Sequence, residues 1–169
     1  MLVSPAPAAF AAGVLPPSTI VDLSAVQDVF DDMTREQYSA TDKTAAGNPT
    51  ATRSTIFADE TGKKKVTLTV DRYATGRDAL NAYREAVSKS KLAEFKPLSV
   101  PVIGQATFAG RVTRDNETHL GMGALDGNLV IGATIAGYPA SHANLDGLVS
   151  LARAQDAAAK EALARSGKP

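Results

Sequence analysis

The chain has no cysteine and no tryptophan, and only 5% of its 169 residues are aromatic. The absence of cysteine excludes disulfides, thiol catalysis and thiolate metal sites. Four tyrosines and five phenylalanines are scattered along the chain, so no cluster of aromatic side chains suggests a platform for stacking bases or sugars. Several classes of functional site are thereby excluded.

The chain also lacks an excess of charge of either sign and a long apolar run. Eighteen basic residues balance eighteen acidic ones, so no overall field attracts nucleic acid, and we predict no nucleic-acid partner. There is no stretch of about 18 consecutive apolar residues, which predicts that no segment spans a bilayer. A hydrophobic content of 44% is enough for one core, so we expect a single domain.

The first seventeen residues, MLVSPAPAAFAAGVLPP, are rich in alanine and proline. This composition is typical of a flexible segment at the start of a mature exported protein, although a cytoplasmic protein with a disordered arm shows the same pattern. We predict a flexible segment over residues 1–17, one domain over 18–165 and a short tail over 166–169. The expected location is secreted or in the cell envelope.

Hydrophobic periodicity predicts the secondary structure. Apolar residues recur at helical spacing in three segments: 19–33, 78–91 and 145–165. Apolar and polar residues alternate, as in strands, in 52–58, 65–73, 106–114 and the two arms of 118–137. The polar stretch 34–51 predicts a loop, so the order is α-β-β-α-β-β-β-α. Because the links between strands are short, we predict an α+β domain with an antiparallel sheet of about five strands and helices packed on one face.

The segment THLGMGALDGNLVIGATIAG predicts a tight hairpin with Asp126-Gly127 at its turn. One face of this hairpin carries mostly small side chains. We predict that something lies close against that face, either a helix of the same chain or a ligand. If it is a ligand, the binding residues are His119, Gly121, Gly123, Gly132 and Thr134.

Several stretches of the chain resemble a family of bacterial domains. They are VTLTVDRYATGRDALNAYREAV, VIGQATF and LGMGALDGNLVIGATIAG, followed by a C-terminal helix rich in leucine and alanine. In this order they resemble the small exported lipoproteins and sensor-domain proteins of actinobacteria, whose folds are similar to PsbP-like α+β domains. The motifs Ile103-Gly104-Gln105-Ala106 and Asp126-Gly127-Asn128-Leu129-Val130 carry the resemblance. It covers about residues 18–155 and implies an extracytoplasmic α+β domain.

No catalytic or metal-binding pattern is evident. His119 and His142 have no partner at a metal-ligand spacing, and the acidic residues Asp28, Asp31 and Asp32 lack the turn glycine of a calcium loop. Nucleophile motifs and phosphate-binding glycine loops do not occur either. We predict no catalytic residue, no metal and no cofactor.

The predicted function is therefore that of a non-enzymatic module that binds a partner protein or an apolar small molecule, with peripheral attachment to a membrane left open. A hydrolase-like enzyme that uses carboxylates or His119 is one alternative, and a structural accessory subunit is another. Three features discriminate between them. A small-residue face closed by the helix over 78–91 or 145–160 would remove the binding module. A cavity that places His119 beside a carboxylate favours an enzyme, whereas a large exposed apolar patch favours a subunit.

Overall fold

The computed structural model describes residues 15–42, 49–92, 95–114 and 117–166. Over these ranges the chain forms seven β-strands and three α-helices. The strands are β1 (Arg35–Asp42), β2 (Ala51–Ala58), β3 (Lys65–Arg72), β4 (Lys96–Pro97), β5 (Ala106–Arg114), β6 (Glu117–Asp126) and β7 (Leu129–Pro139). The helices are α1 (Leu23–Gln27), α2 (Gly76–Leu92) and α3 (Leu145–Ser166), and single 3₁₀ turns lie at Pro17–Thr19 and Ala140–His142. None of the described helices is both long enough and apolar enough to cross a membrane.

The seven strands form one antiparallel sheet in the order β1-β2-β3-β7-β6-β5-β4. The predicted α+β class and the antiparallel pairing are confirmed. The five inner strands match the strands predicted from alternation, but the predicted number of strands is wrong because both edge strands were missed.

The edge strands lack the pattern that reveals a strand in sequence. β1 falls in the segment predicted as a loop, and its sequence REQYSATD is polar on both faces. Alternation marks a strand only where one face is buried, and Tyr38 at this edge is 56% exposed. β4 is two residues long and includes Pro97, which an edge strand tolerates because one side makes no ladder hydrogen bonds.

The first predicted helix, over residues 19–33, is largely absent. Only the five residues of α1 are helical, and Asp22 caps them with its Oδ1, which accepts a hydrogen bond from the backbone N–H of Ala25 at 3.0 Å. The apolar spacing in this segment correctly indicates burial, but the backbone leaves the helix after Gln27. Four of the positions that suggested the helix are buried in the core: Ile20, Val26, Phe30 and Met33.

Helices cover both faces of the sheet, which corrects the prediction that they cover one. We call the face under α1 and α3 the first face. It carries the main core, which includes Val66, Leu68, Val70, Leu120, Met122, Ile131 and Ile135. The opposite, second face carries α2 and a smaller core of Tyr73, Ala79, Tyr83 and Leu125, against which Phe108 and Val130 pack. The apolar side of α2 thus packs against the sheet near the hairpin turn.

One buried side chain attaches the N-terminal segment to α3. Gln155 is fully buried; its Oε1 accepts a hydrogen bond from the Val21 N–H at 3.2 Å, and its Nε2 donates to the Thr19 carbonyl. Leu15 is also fully buried and belongs to the main core. The domain boundaries at residues 17 and 165 stay predictions, because residues 1–14 and 167–169 lie outside the described residues.

The hairpin of β6 and β7 is confirmed, but its turn lies one residue later than predicted. Asp126 pairs with Leu129, so the two loop residues are Gly127 and Asn128. Gly127 has a φ of +59°, which glycine adopts without strain. Asn128 exchanges two hydrogen bonds with the backbone of Tyr73, at 2.8 and 2.9 Å. These bonds hold the turn against the end of β3.

Candidate functional site

The small-residue face of the hairpin lies on the second face of the sheet, where intramolecular packing closes one part of it. A Cβ atom on Gly123 would lie 2.4 Å from Cε1 of Phe108, so the Phe108 ring rests directly on the Gly123 backbone. Phe108 in turn contacts Tyr83 of α2 edge-on, with ring centroids 5.5 Å apart. At Gly123 a side chain of the neighbouring strand β5 covers the face, and α2 packs against that side chain.

Three of the five predicted binding residues lie together in a part of the face that remains open. His119, Gly121 and Thr134 line a shallow cavity of about 240 Å³. The ring of Phe95 lies over Gly121, and its Cζ would be 3.6 Å from a Cβ on that glycine. We call this cavity the Phe95 pocket; its other lining residues are Val112, Leu120, Ile135 and Ala136.

Gly132 lies on the same face but does not line the pocket. It pairs with Gly123 on one side and with Thr69 on the other. A Cβ on Gly132 would be 3.7 Å from the Cβ of Thr69, which is an ordinary contact. The predicted set of five is therefore divided into three pocket residues, one glycine under Phe108 and one glycine on the open sheet.

The Phe95 pocket lies toward one end of a row of paired residues across the second face. In this row Tyr38 pairs with Ile56, Ile56 with Thr67, Thr67 with Thr134, and Thr134 with Gly121. Tyr38 and Thr134 are exposed, and α2 packs nearer to the hairpin turn. The row therefore presents Thr67 and the half-buried Ile56 between the pocket and an exposed tyrosine.

Alanine substitutions at Gly121 and Gly123 should separate the open and closed parts of the face. At Gly121 the new Cβ would be 3.5 Å from Cγ2 of Thr134, so we expect the free energy of unfolding to stay constant or to rise by up to about 1 kcal/mol, since glycine in a strand costs backbone entropy. At Gly123 the new Cβ meets Phe108, and we expect a loss of about 1–3 kcal/mol. Urea denaturation measures both; equal losses at the two positions would contradict this division.

The acidic residues near α1 include one with a structural role. Asp32 Oδ2 lies 2.7 Å from Nζ of Lys64, and its Oδ1 accepts a hydrogen bond from the Tyr138 hydroxyl at 2.8 Å. The hydrogen bond to Asp32 raises the pKa of Lys64. Burial raises the pKa of Tyr138, and the bond to Asp32 adds to the effect. The three side chains link the segment after α1 to the end of β7.

Titratable groups in the pocket offer no acid–base pair. The residues that line the Phe95 pocket include His119 but no carboxylate. Across the four described ranges, no three histidine, aspartate or glutamate side chains are grouped so as to hold a metal ion. The chemistry that this pocket can supply is apolar contact, with one imidazole and one hydroxyl at its rim.

The two motifs that carry the family resemblance contact each other. Gln105 donates its backbone N–H to the Leu125 carbonyl at 2.7 Å, and its Oε1 accepts from the Gly127 N–H at 3.2 Å. Gly104 has a φ of +64°, and a Cβ there would lie 2.6 Å from the Leu125 carbonyl oxygen. Ile103 is buried in the main core. We call Gly104 and Gln105 the turn clasp, because they hold the hairpin turn.

The comparisons with known proteins concern the fold. No protein-family model matches the chain, and no curated protein sequence matches it. Its structure is similar to the extracellular domain of PknH from Mycobacterium tuberculosis, with a TM-score of 0.63 and 12% sequence identity over 87% of this chain and 94% of that domain. This likeness supports the resemblance to an extracellular actinobacterial domain at the level of fold, whereas the likeness to PsbP stays a prediction.

Proposed function

We propose that the chain is a non-enzymatic, extracytoplasmic domain that binds a partner protein, and that the Phe95 pocket receives one apolar side chain of that partner. The observation that carries the proposal is the open pocket among small residues on the second face. Sites for drug-sized ligands usually measure about 300–1,000 Å³, and this cavity of about 240 Å³ is smaller. Its size suits a single leucine-sized side chain better than a whole organic ligand.

The surroundings of the pocket have the composition of an interface. Protein interfaces combine an apolar centre with a polar rim, and exposed tyrosines often contribute to them. Here the apolar centre is formed by Phe95 with Val112 and Ala136. Thr67, Thr134 and the exposed Tyr38 continue from it across the sheet.

An extracytoplasmic location agrees with two independent features. The chain begins with a stretch rich in alanine and proline, a composition that fits an exported protein and also a cytoplasmic protein with a disordered arm. Its fold is also similar to that of a domain described as extracellular. Both features concern location, and the binding role rests on the pocket alone.

A titration with amino-acid amides tests the proposal. N-acetyl-leucinamide should shift the backbone amide signals of Phe95, His119, Gly121 and Thr134 in a saturable manner, and N-acetyl-alaninamide should do so more weakly, because it has less apolar surface to bury. NMR spectroscopy of the ¹⁵N-labelled protein follows these shifts.

Two variants make the test specific. Gly121→Val fills the pocket from its floor and should weaken N-acetyl-leucinamide binding about tenfold, the loss expected when roughly 1.4 kcal/mol of apolar burial is removed. Gly132→Ala lies on the same face outside the pocket and should leave binding unchanged. Equal affinity of the wild type and Gly121→Val, or shifts that map elsewhere, would overturn the proposal.

A further inference from the structure

A second, more polar groove lies between α2 and the chain at Pro49. Its volume is about 420 Å³, which is within the range of about 300–1,000 Å³ common for small-molecule sites. The residues that line it are Pro49, Tyr73, Asp78, Asn81, Ala82, Glu85, Ala86 and Lys89. We call it the Tyr73 groove. It shares no lining residue with the Phe95 pocket.

Tyr73 contributes a hydroxyl that has no hydrogen-bond partner among the described residues. The residue is only 8% exposed, and the two hydrogen bonds between its backbone and Asn128 fix its position. Within the described ranges no side chain or backbone group hydrogen-bonds its hydroxyl, whereas the hydroxyl of Tyr138 donates to Asp32. The hydroxyl is therefore available to form a hydrogen bond with a ligand atom in the groove.

Two carboxylates lie near this hydroxyl. Burial, followed by the charges of Asp71 and Glu85, raises the pKa of Tyr73 to about 12. Thr52 donates a hydrogen bond to Asp71 at 2.5 Å, so that carboxylate is held in place beside the groove. Asp71 and Glu85 therefore favour a positively charged ligand group beside the Tyr73 hydroxyl.

The cation already present in the lining can be displaced. Lys89 lies 2.6 Å from Glu85, but the two side chains are 72% and 65% exposed. Exposed pairs of this kind contribute little to stability because water and salt screen them. Asp78 adds a second carboxylate to the wall, and its Oδ2 accepts a hydrogen bond from Thr75 at the start of α2.

We propose that the Tyr73 groove binds a small organic ammonium ion. Its N–H groups would donate to the Tyr73 hydroxyl, to the Asn81 amide oxygen and to the Glu85 carboxylate. Its carbon chain would lie along Pro49, Ala82 and Ala86. This site is separate from the Phe95 pocket, so its failure would leave the proposed function intact.

Three probes of equal chain length test the assignment. n-Butylammonium, n-butanol and butyrate differ in charge but hardly in size. Titration of the ¹⁵N-labelled protein with n-butylammonium should give saturable shifts at Tyr73, Asn81 and Glu85. n-Butylammonium should bind more tightly than n-butanol and butyrate. Equal or tighter binding of n-butanol or butyrate, or non-saturable shifts with all three probes, would overturn the proposal.

Matched variants identify the groups that make the contact. Tyr73→Phe removes the hydroxyl and should weaken n-butylammonium binding about tenfold, as expected for one hydrogen bond to a charged group. Tyr83→Phe removes a hydroxyl from a tyrosine that is also 8% exposed but lies outside the groove, and it should leave binding unchanged. Glu85→Gln removes an exposed carboxylate together with its ion pair to Lys89, and it should also weaken binding. Equal effects of the two tyrosine variants, or unchanged binding in Glu85→Gln, would contradict the site.

Discussion

Replacement of Gln155 by methionine is expected to lower the free energy of unfolding by about 2–4 kcal/mol, because buried backbone groups lose their partners at a cost of about 1–3 kcal/mol each. The side-chain amide of Gln155 is fully buried between the Val21 N–H and the Thr19 carbonyl. Methionine has a similar length and shape but cannot bond either group. Urea denaturation followed by circular dichroism measures the loss.

Gln27→Met is the matched control for this substitution. Gln27 also bonds a backbone group with its side-chain amide, since its Nε2 donates to the Met33 carbonyl at 2.7 Å. Gln27 itself is exposed, so water can replace that bond, and the expected loss is below about 1 kcal/mol. If Gln155→Met cost no more than Gln27→Met, Gln155 would not attach the N-terminal segment to α3 as described.

Gly104→Ala is expected to destabilise the protein by about 2–5 kcal/mol. Two costs combine: an alanine at a φ of +64° is strained by about 1–2 kcal/mol, and overpacking adds about 1–3 kcal/mol. The overpacking arises because the new Cβ would meet the Leu125 carbonyl oxygen at 2.6 Å. Thermal and urea denaturation of the variant measure the sum.

Gly127→Ala separates these two costs. Its φ of +59° is nearly the same, but a Cβ there has no neighbour within 4 Å. We expect a loss of about 1–2 kcal/mol from backbone strain alone. Equal losses of unfolding free energy in Gly104→Ala and Gly127→Ala would show that a Cβ at position 104 does not clash with the Leu125 carbonyl.

The inner strands could be predicted from the sequence, whereas the edges of the sheet could not. β3 and β7 each bury one row of apolar side chains, and this burial is what alternation records. β1 has no buried row among its described side chains, and β4 is too short to show any period. Hydrophobic patterning thus predicts the strands that have one buried face. An edge strand with no buried face is held by backbone hydrogen bonds, which leave no pattern in the side chains.

The same physical limit explains why the first helix was predicted to be longer than it is. Val26, Phe30 and Met33 follow helical spacing and are all buried, yet the helix ends at Gln27. Apolar spacing reports which side chains face the core. It does not require the backbone between them to be helical when a short helix and turns also bring them there.

The candidate site could be predicted in part. Small residues on the hairpin indicated a close approach on one face, and Gly123 under Phe108 shows one such approach. The sequence could not show that α2 covers only the part near the turn, because that depends on how a helix crosses the sheet. Phe95 and Tyr73 were not among the predicted binding residues, since no local pattern indicates that either ring lines a cavity.

The resemblance motifs have a structural explanation. Gly104 and Gln105 contact the turn that carries Gly127 and Asn128, so the two motifs form one local unit. Gly104 must be glycine for its backbone conformation and for the close contact with Leu125. A resemblance that rests on these motifs therefore reports the fold more directly than it reports a binding site.

The most direct test of the proposed function is a crystal structure of the protein with N-acetyl-leucinamide. We expect the leucine side chain within about 4 Å of the Phe95 ring and of the Thr134 methyl group, the distance of an apolar contact. The amide groups of the probe should face the row toward Thr67. A probe bound elsewhere on the molecule, or a pocket filled by the Phe95 ring itself, would contradict the account.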